Sequence, residues 1–496
     1  MALFIVVGFF AIGVAVPANH NEVWSTATAV VIISVLILVG LAAWPILFAP
    51  FDTDTPVLRA AFAATDVFGD WNHPFLPYLF NRPTTWLSLE PWALRIVPLA
   101  FLSAETVLMM LAARRDGGMI AAALGGVWFS SEIRRRHGLF DLGDWDVGGT
   151  FLVLLLLAVQ HREELGPRRV TALCALMAAG VMSSWLMIVV SGVLVGCLGI
   201  EAIRGRLSAR VFTAPGLVFA LLAVFSLRVF TMGAGQPVQV SGEELWQQMY
   251  HELPLERQIS MLLPVGLGIV WLVKNRSALA QRFVGFCLIA VPSATYVAYE
   301  RSHVNGGYYI GLVTPMLLYA ASVGTVRAVE GVLDWLVNAS GGSKRPLAVT
   351  SARTFVVLLL AAATVGRLEA GEMGIGAEHL TLLAHETLSN ELPIYTNSPD
   401  LPRLLAFERA RAGEGQIGDT IQPAPPDLAQ RFHLLAPAAC APNDSSSGPF
   451  YLVYLNTGER ELRRKCVEQL GARCSDISAS VKRNDRSNWV LRCNAP

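Results

Sequence analysis

Four aspartates, Asp52, Asp54, Asp66 and Asp70, fall within twenty residues of the end of a charge-free run, ATAVVIISVLILVGLAAWPILFAP, that closes at Pro50. A carboxylate held just outside an apolar segment can act as a base on something lying at the interface. A hydroxyl or amine that attacks the anomeric carbon of a sugar must lose a proton, and an ionised Asp within hydrogen-bond reach can take it. The departing group needs its charge stabilised, and Arg or Lys suits a phosphate best. Such cations lie close by. Arg59 and Arg82 share the aspartate-rich stretch, and Arg134, Arg135 and Arg136 follow in SSEIRRRHGLFDLGDWD (130–146).

Each of these residues also has a plainer reading. Asp54 could be a solvated loop acid, or could cap a helix over TPVLRAAFAA with Pro56 at its start. Asp52 and Asp54 together could hold a divalent cation, and no other cofactor is implied. Arg59 and Arg82 could snorkel to headgroups. Arg134 to Arg136 could bind anionic lipid without specificity. His73, in NHPFLPY, fits a structural role in its loop. Glu300, Arg301 and His303 share a later loop that could reach substrate. Trp71, Trp86 and Trp92 fit an interfacial aromatic belt.

The elements that would position these groups are written in the composition. The chain has 496 residues, 53% hydrophobic and 15% charged, against about 25% charged in soluble domains. Its many apolar runs approach the roughly 20 residues that a helix needs to cross a bilayer, and only internally hydrogen-bonded elements can do so. Net charge is zero, so nothing suggests a nucleic-acid partner. Membrane lipids are the surroundings implied. Spans are expected at 27–49, 92–112, 117–131, 140–159, 170–184, 186–203, 211–232, 259–273, 283–299, 308–323 and 353–369, with SSW (183–185) as a turn. Residues 2–16 are either an extra span or the core of a cleaved signal ending near VPA. No basic residue precedes them, which weakens the signal reading.

Alternate short loops hold Arg114 and Arg115; Arg162, Arg168 and Arg169; Arg204, Arg206 and Arg210; Lys274, Arg276 and Arg282; and Lys344 and Arg345. By the positive-inside rule that set is cytoplasmic. The external set is then 50–91, 132–139, 233–258, 299–307 and everything after about 370, and Arg134 to Arg136 break the rule there. The sequon-like VNAS (337–340) falls inside. Charges sit at span ends rather than at span centres in this reading.

The sequence thus divides into an N-terminal apolar segment, 1–26, a membrane domain, 27–370, with external loop 50–91, and a polar C-terminal domain, 371–496. In the last, FYLVYLNTG and NWVLRC read as strands and RELRRKCVEQLG as a helix. Cys174, Cys197 and Cys287 lie in apolar runs. Cys440, Cys466, Cys474 and Cys493 lie in the tail, an even number that suggests two disulfides in an oxidising compartment. Their spacings match no zinc site. Cys466 with Cys474 is the short-loop pairing.

Asp54 is followed fifteen residues on by Gly69-Asp70-Trp71, then by Arg82-Pro83, Trp86 and Arg95-Ile96-Val97-Pro98. This order resembles the polytopic GT-C membrane glycosyltransferases that use polyprenyl-phosphate sugars. The family 39-like protein O-mannosyltransferases and lipid A aminoarabinose transferases are nearest in pattern. Their first external loop opens with Asp-Glu, followed by Gly-Asp-Trp, Lys-Pro-Pro, a Trp and Arg-Leu-Pro. RRRHGLFD resembles the family's Arg-rich lead into a helix with an Asp, here Asp141 or Asp144. GGYYIGLVTP (306–315) resembles its Tyr-Leu-Leu-Pro segment. Thr55, Thr84 and Gly311 depart from the family's Glu and two of its prolines, which puts the acceptor class in question more than the reaction.

The resemblance implies an all-α polytopic membrane protein of GT-C-like fold, about 11–12 transmembrane helices, with a small external α/β domain. It implies an inverting hexosyl- or pentosyltransferase in the cell inner membrane, working on the external, periplasmic side. The donor would be a polyprenyl-phosphate-linked sugar and the acceptor a lipid, glycan or protein. Asp54, by its spacing, is the implied base, with Asp52 the alternative. Arg59, Asp70, His73, Arg82, Arg134, Arg136, Asp141, His303 and Tyr308 are the implied substrate contacts. A transporter or flippase of a lipid-linked substrate is the competing reading, and a bare membrane anchor for the C-terminal domain needs far fewer spans.

Overall fold

The computed structural model describes residues 26–47, 60–64, 74–132, 144–160, 166–232, 255–302, 311–339, 392–397, 401–411, 430–435, 448–454, 468–470, 473–477 and 489–494. Its longer helices are α1 (Thr26–Leu47), α2 (Phe75–Thr85), α3 (Pro91–Glu132), α4 (Asp144–Gln160), α5 (Pro167–Val181), α6 (Met187–Ile203), α7 (Ala209–Met232), α8 (Leu255–Lys274), α9 (Leu279–Ser302) and α10 (Thr314–Ala339). By length and composition, Pro91–Ser130 and Gly311–Leu336 could cross a membrane, and six further apolar helical stretches are 10–17 residues long.

These helices stand where long apolar runs led us to expect spans. The expected spans at 92–112 and 117–131 are the two halves of α3, joined at Gly118, whose φ of 76° and ψ of −172° are open to glycine alone. SSW forms the expected turn, with the amides of Ser183 and Ser184 both donating to the Gly180 carbonyl at 2.9 Å. Two features differ. The span expected at 308–323 is a 3-10 turn at Gly311–Val313 followed by a helix that runs on to Ala339. Its charges, including Arg327 and Glu330 paired at 3.0 Å one turn apart, read as loop although they lie on a continuous helix. Helix α2 was also not expected. Pro77 and Pro83 obscured it, yet Pro77 lies in the first turn, where a missing N–H costs nothing. The expected segments 2–16 and 353–369 lie outside the described residues.

One large apolar cluster joins α1, α3, α4, α6, α9 and α10. Small residues set its tightest crossing. A Cβ on Gly324 would stand 2.5 Å from the Gly268 Cα, so α8 and α10 meet backbone to backbone. At the bend of α3 a polar knot draws four helices together. Asp116 Oδ2 accepts from Gln160 Nε2 at 2.9 Å, from Gln281 Nε2 at 3.2 Å and from the Tyr319 hydroxyl. The Asp116 carbonyl accepts from Arg327 Nε at 3.1 Å. On the adjoining face, buried Glu201 of α6 pairs with buried Arg282 of α9 at 2.8 Å. Two further guanidinium donors of Arg282 go to the carbonyls of Arg276 and Ser277 at 3.3 and 3.1 Å. Buried charges are tolerated only when paired and hydrogen-bonded in this way.

The C-terminal part is a five-stranded sheet in the order β2-β1-β3-β5-β4, made of β1 (Ile394–Thr396), β2 (Phe432–Leu434), β3 (Phe450–Tyr454), β4 (Cys474–Asp476) and β5 (Trp489–Cys493). Helix α11 (Leu401–Arg411) lies between β1 and β2 in sequence. β1 pairs in parallel with β2 and β3, whereas β5 runs antiparallel to β3 and β4. The central strand is the FYLVY expected from sequence. It is apolar at every position because both faces are covered. Tyr451 and Val453 pack into one cluster with α11, and Phe450, Leu452 and Tyr454 into another.

The expected pairing of Cys466 with Cys474 is incorrect. Cys474 is bonded to Cys493, with the two Cα atoms 4.0 Å apart. The reason is register: β4 and β5 place these residues directly opposite one another. Proximity in sequence was the weaker guide. Cys440 and Cys466 lie outside the described residues, and Cys174, Cys197 and Cys287 are free thiols within helices.

Candidate active site

The first expected external loop is built from three described pieces. The helical segment 60–64 is buried along Ala60, Ala61, Phe62 and Ala63. Its run of small residues lets neighbouring chain approach closely. Helix α2 follows, and the first turn of α3 completes the set. Tyr78 of α2 stacks on Phe62 with ring centroids 6.0 Å apart, and Phe80 packs on Phe101 of α3 at 5.0 Å. The amide of Leu76 donates to the Met182 carbonyl at 3.1 Å, which ties α2 to the turn between α5 and α6.

This assembly is also where the C-terminal domain docks. Ala60, Ala61, Leu89 and Leu94 share one buried cluster with Leu404, Leu405 and Phe407 of α11 and with Tyr451, Val453 and Val490 of the sheet. The Arg403 guanidinium carbon lies 3.9 Å from the centre of the Phe62 ring. Arg411 reaches Glu90 at 4.0 Å while holding Glu408 at 2.7 Å. The first loop and the C-terminal domain therefore lie on the same side of the helical bundle. Helix α3 starts at this end and reaches the Asp116 knot after roughly 33 Å, at 1.5 Å per residue over Leu94 to Asp116.

Of the implied base and substrate contacts, Arg82 is the one the structure describes; Asp144 opens α4, and Glu300 and Arg301, expected in a loop, lie in the last turn of α9. Arg82 sits in the last turn of α2, half-buried, where its charge complements the helix C-terminus. Next to it, Asn81 is 2% exposed. Its Nδ2 donates to the Pro77 carbonyl at 2.9 Å, and its Oδ1 is buried without a partner. Asp52, Asp54, Arg59, Asp70, His73, Arg134, Arg136, Asp141, His303 and Tyr308 lie outside the described residues. Trp86 and Trp92 are exposed at the ends of α2 and α3, as an interfacial belt requires.

Two buried charges near this end were not singled out. Arg95 was read only as part of a motif, and it is fully buried in the first turns of α3. Glu105 corrects the expectation that charges sit only at span ends. It is 0% exposed within α3, and a Cβ on Gly149 of α4 would fall 2.2 Å from its Oε1. The signal was there: it is the one acid in PWALRIVPLAFLSAETVLMMLAA, and an ionisable group inside an apolar span is a functional candidate by default. Its neighbourhood is polar, with Thr150 donating to the Phe101 carbonyl at 3.1 Å. Ser184 Oγ, also buried without a partner, lies against Gly148, whose added Cβ would be 2.9 Å from the Ser184 Cβ. Among the described residues, no group of three or more His, Cys, Asp or Glu could hold a metal ion.

Neither a family model nor a curated protein sequence matches the chain. Its architecture does match solved structures. ArnT from Cupriavidus metallidurans in the apo state superposes with a TM-score of 0.51 at 17% identity, over 94% of this chain and 98% of that one. The fold is GT-C-like. The Archaeoglobus fulgidus oligosaccharyltransferase tethered to an acceptor peptide containing the NVT sequon matches with a TM-score of 0.50 at 12% identity, over 90% of this chain and 69% of that one. The protein is accordingly a polytopic helical membrane protein with a small mixed sheet at its C-terminal end.

Proposed function

We propose that the protein is an inverting membrane glycosyltransferase that moves a sugar from a polyprenyl phosphate to a hydroxyl or amine of a lipid, glycan or protein acceptor. The observation that carries this reading is the placement of the first loop. The pieces that flank the Asp54 and Gly69-Asp70-Trp71 motifs are packed against one end of a GT-C-like bundle. Asp54 takes the acceptor's proton as the acceptor atom bonds to the anomeric carbon. The bond from that carbon to the phosphate oxygen breaks, and polyprenyl phosphate leaves. Arg59, Arg82, Arg134 and Arg136 hold its charge, with guanidinium forks matched to phosphate oxygens. Asp70, His73, Asp141, His303 and Tyr308 orient donor and acceptor.

The reaction takes place on the external, periplasmic side of the inner membrane. Two facts support this sidedness. The Cys474–Cys493 disulfide belongs to an oxidising compartment, and the domain that carries it touches the first loop. The positive-inside asymmetry points the same way.

Transport of a lipid-linked substrate is the competing reading, and buried Glu105 within a span is the observation in its favour. The Asp116 knot weighs against it. Four helices are cross-linked by hydrogen bonds at the end opposite the first loop, where a transporter has to open in turn. Mass spectrometry of cell-envelope glycans and lipids, with and without the gene, tests the choice. Transfer predicts one sugar missing from its acceptor, with its polyprenyl-phosphate form accumulating on the outer leaflet, within reach of an impermeant probe. The same missing sugar with the lipid-linked form held on the inner leaflet, out of reach of that probe, favours transport.

A further inference from the structure

The C-terminal domain does more than cap the bundle. Phe62 lies between two partners from different parts of the chain. Arg403 of α11 covers its ring at 3.9 Å, and Tyr78 of α2 stacks on it at 6.0 Å with a 24° angle between the rings. Around this stack, α11 buries Leu404, Leu405 and Phe407 against Ala60, Ala61, Leu89 and Leu94. Every residue from Ala60 to Ala63 is at most 4% exposed. The stack thus joins the C-terminal domain, the first-loop segment and the helix whose last turn carries Arg82. Asp54 precedes Ala60 by six residues, so the chain cannot carry it more than about 22 Å from Ala60, at no more than 3.6 Å per residue.

We infer that the C-terminal domain is a positioning element of the first-loop site and that Arg403, acting through Phe62, is a positioning residue for transfer. This rests on the glycosyl-transfer reading of that loop. A half-buried cation over a buried aromatic face biases the segment toward one arrangement by an amount comparable to a tenfold population ratio. If donor binds the released and the clamped loop alike, loss of the clamp lowers the competent fraction, and hence kcat, while KM for donor stays put.

The test uses full-length purified protein in nanodiscs, carrying Thr55→Cys as a reporter and compared with protein lacking it. Arg403→Ala should change the rate of Thr55→Cys labelling by an impermeant maleimide about tenfold. It should lower kcat by a similar factor with donor KM within about twofold. Arg403→Lys, which keeps a cation, should restore most of both. Phe62→Leu should reproduce the Arg403→Ala loss, and the double variant should be no worse than either single one. Unchanged labelling and unchanged kcat per folded molecule in Arg403→Ala overturn the inference, even if the yield of folded protein falls. The two readings fail separately. Wild-type protein without transfer activity, but with labelling that responds to Arg403→Ala, refutes the chemistry and leaves the clamp standing. Active wild type whose labelling and kcat ignore Arg403→Ala refutes the clamp alone.

Discussion

Two glycines on α8, two residues apart, should respond to the same substitution with opposite sign. A Cβ on Gly268 would lie 2.7 Å from the Ala320 carbonyl carbon, 2.8 Å from its oxygen and 2.8 Å from the Ala321 nitrogen. All three are backbone atoms of α10, so no side chain can swing away. Relief requires the two helices to part by about 1 Å, since carbon contacts prefer about 3.5–4.0 Å, and a gap of that size forfeits up to half the attraction of each contact along the seam. We expect Gly268→Ala to destabilise the protein by about 3 kcal/mol, the upper end of overpacking costs. A Cβ on Gly266 meets nothing within 4 Å. There the helix gains alanine's backbone preference and loses nothing, so Gly266→Ala should stabilise by roughly 0.5–1 kcal/mol. Thermal unfolding in detergent, followed by fluorescence-detected size exclusion, reads both. A melting temperature several degrees lower for Gly268→Ala and slightly higher for Gly266→Ala supports the α8–α10 crossing. Equal effects of one sign would show that these helices do not meet at Gly268 and Gly324.

Other outcomes follow from the same structure. Arg282→Met removes the buried partner of Glu201 and leaves it the longer 3.8 Å contact from Arg206; it should cost about 3 kcal/mol, most of it recovered in Glu201→Gln/Arg282→Met, and thermal shift of the three proteins reads this. With Cys474 bonded to Cys493, Cys440 and Cys466 are the tail cysteines left to pair. Non-reducing peptide mapping should find that second bond, and two free thiols there would contradict it. Arg134→Ala and Arg136→Ala should each raise the donor KM or lower kcat, with Lys restoring only part because a point charge replaces a fork. Unchanged kinetics in both would assign the cluster to lipid headgroups.

The helices were legible in the sequence because length and apolarity suffice to specify a spanning helix. The break between the two halves of α3 was legible from Arg114 to Gly118, and the 183–185 turn from its polar pair. FYLVY was legible as a strand because its five apolar residues need cover on both faces. What escaped has specific causes. Pro77 and Pro83 masked α2, although both sit near its ends. Glu330 and Asp334 made the second half of α10 read as loop, whereas they lie on half-buried and exposed positions of a continuing helix. Glu105 was lost among apolar neighbours. The pairing of Cys474 with Cys493 depends on β4–β5 register, which no spacing reveals. The docking of Arg403 on Phe62 joins distant parts of the chain and leaves no local signal in either.

The central claim is that Asp54 serves as the base in transfer from a polyprenyl-phosphate donor. Its most direct test supplies purified protein with lipid-linked sugars extracted from the native membrane, together with an envelope acceptor fraction, and measures the polyprenyl phosphate released. Loss of a general base typically costs ~10²–10⁴-fold in rate. The account predicts acceptor-dependent release by the wild type, a fall of that size in Asp54→Asn with donor binding retained, and a smaller loss in Asp52→Asn. No release by the wild type, or near-normal release by Asp54→Asn, would contradict it.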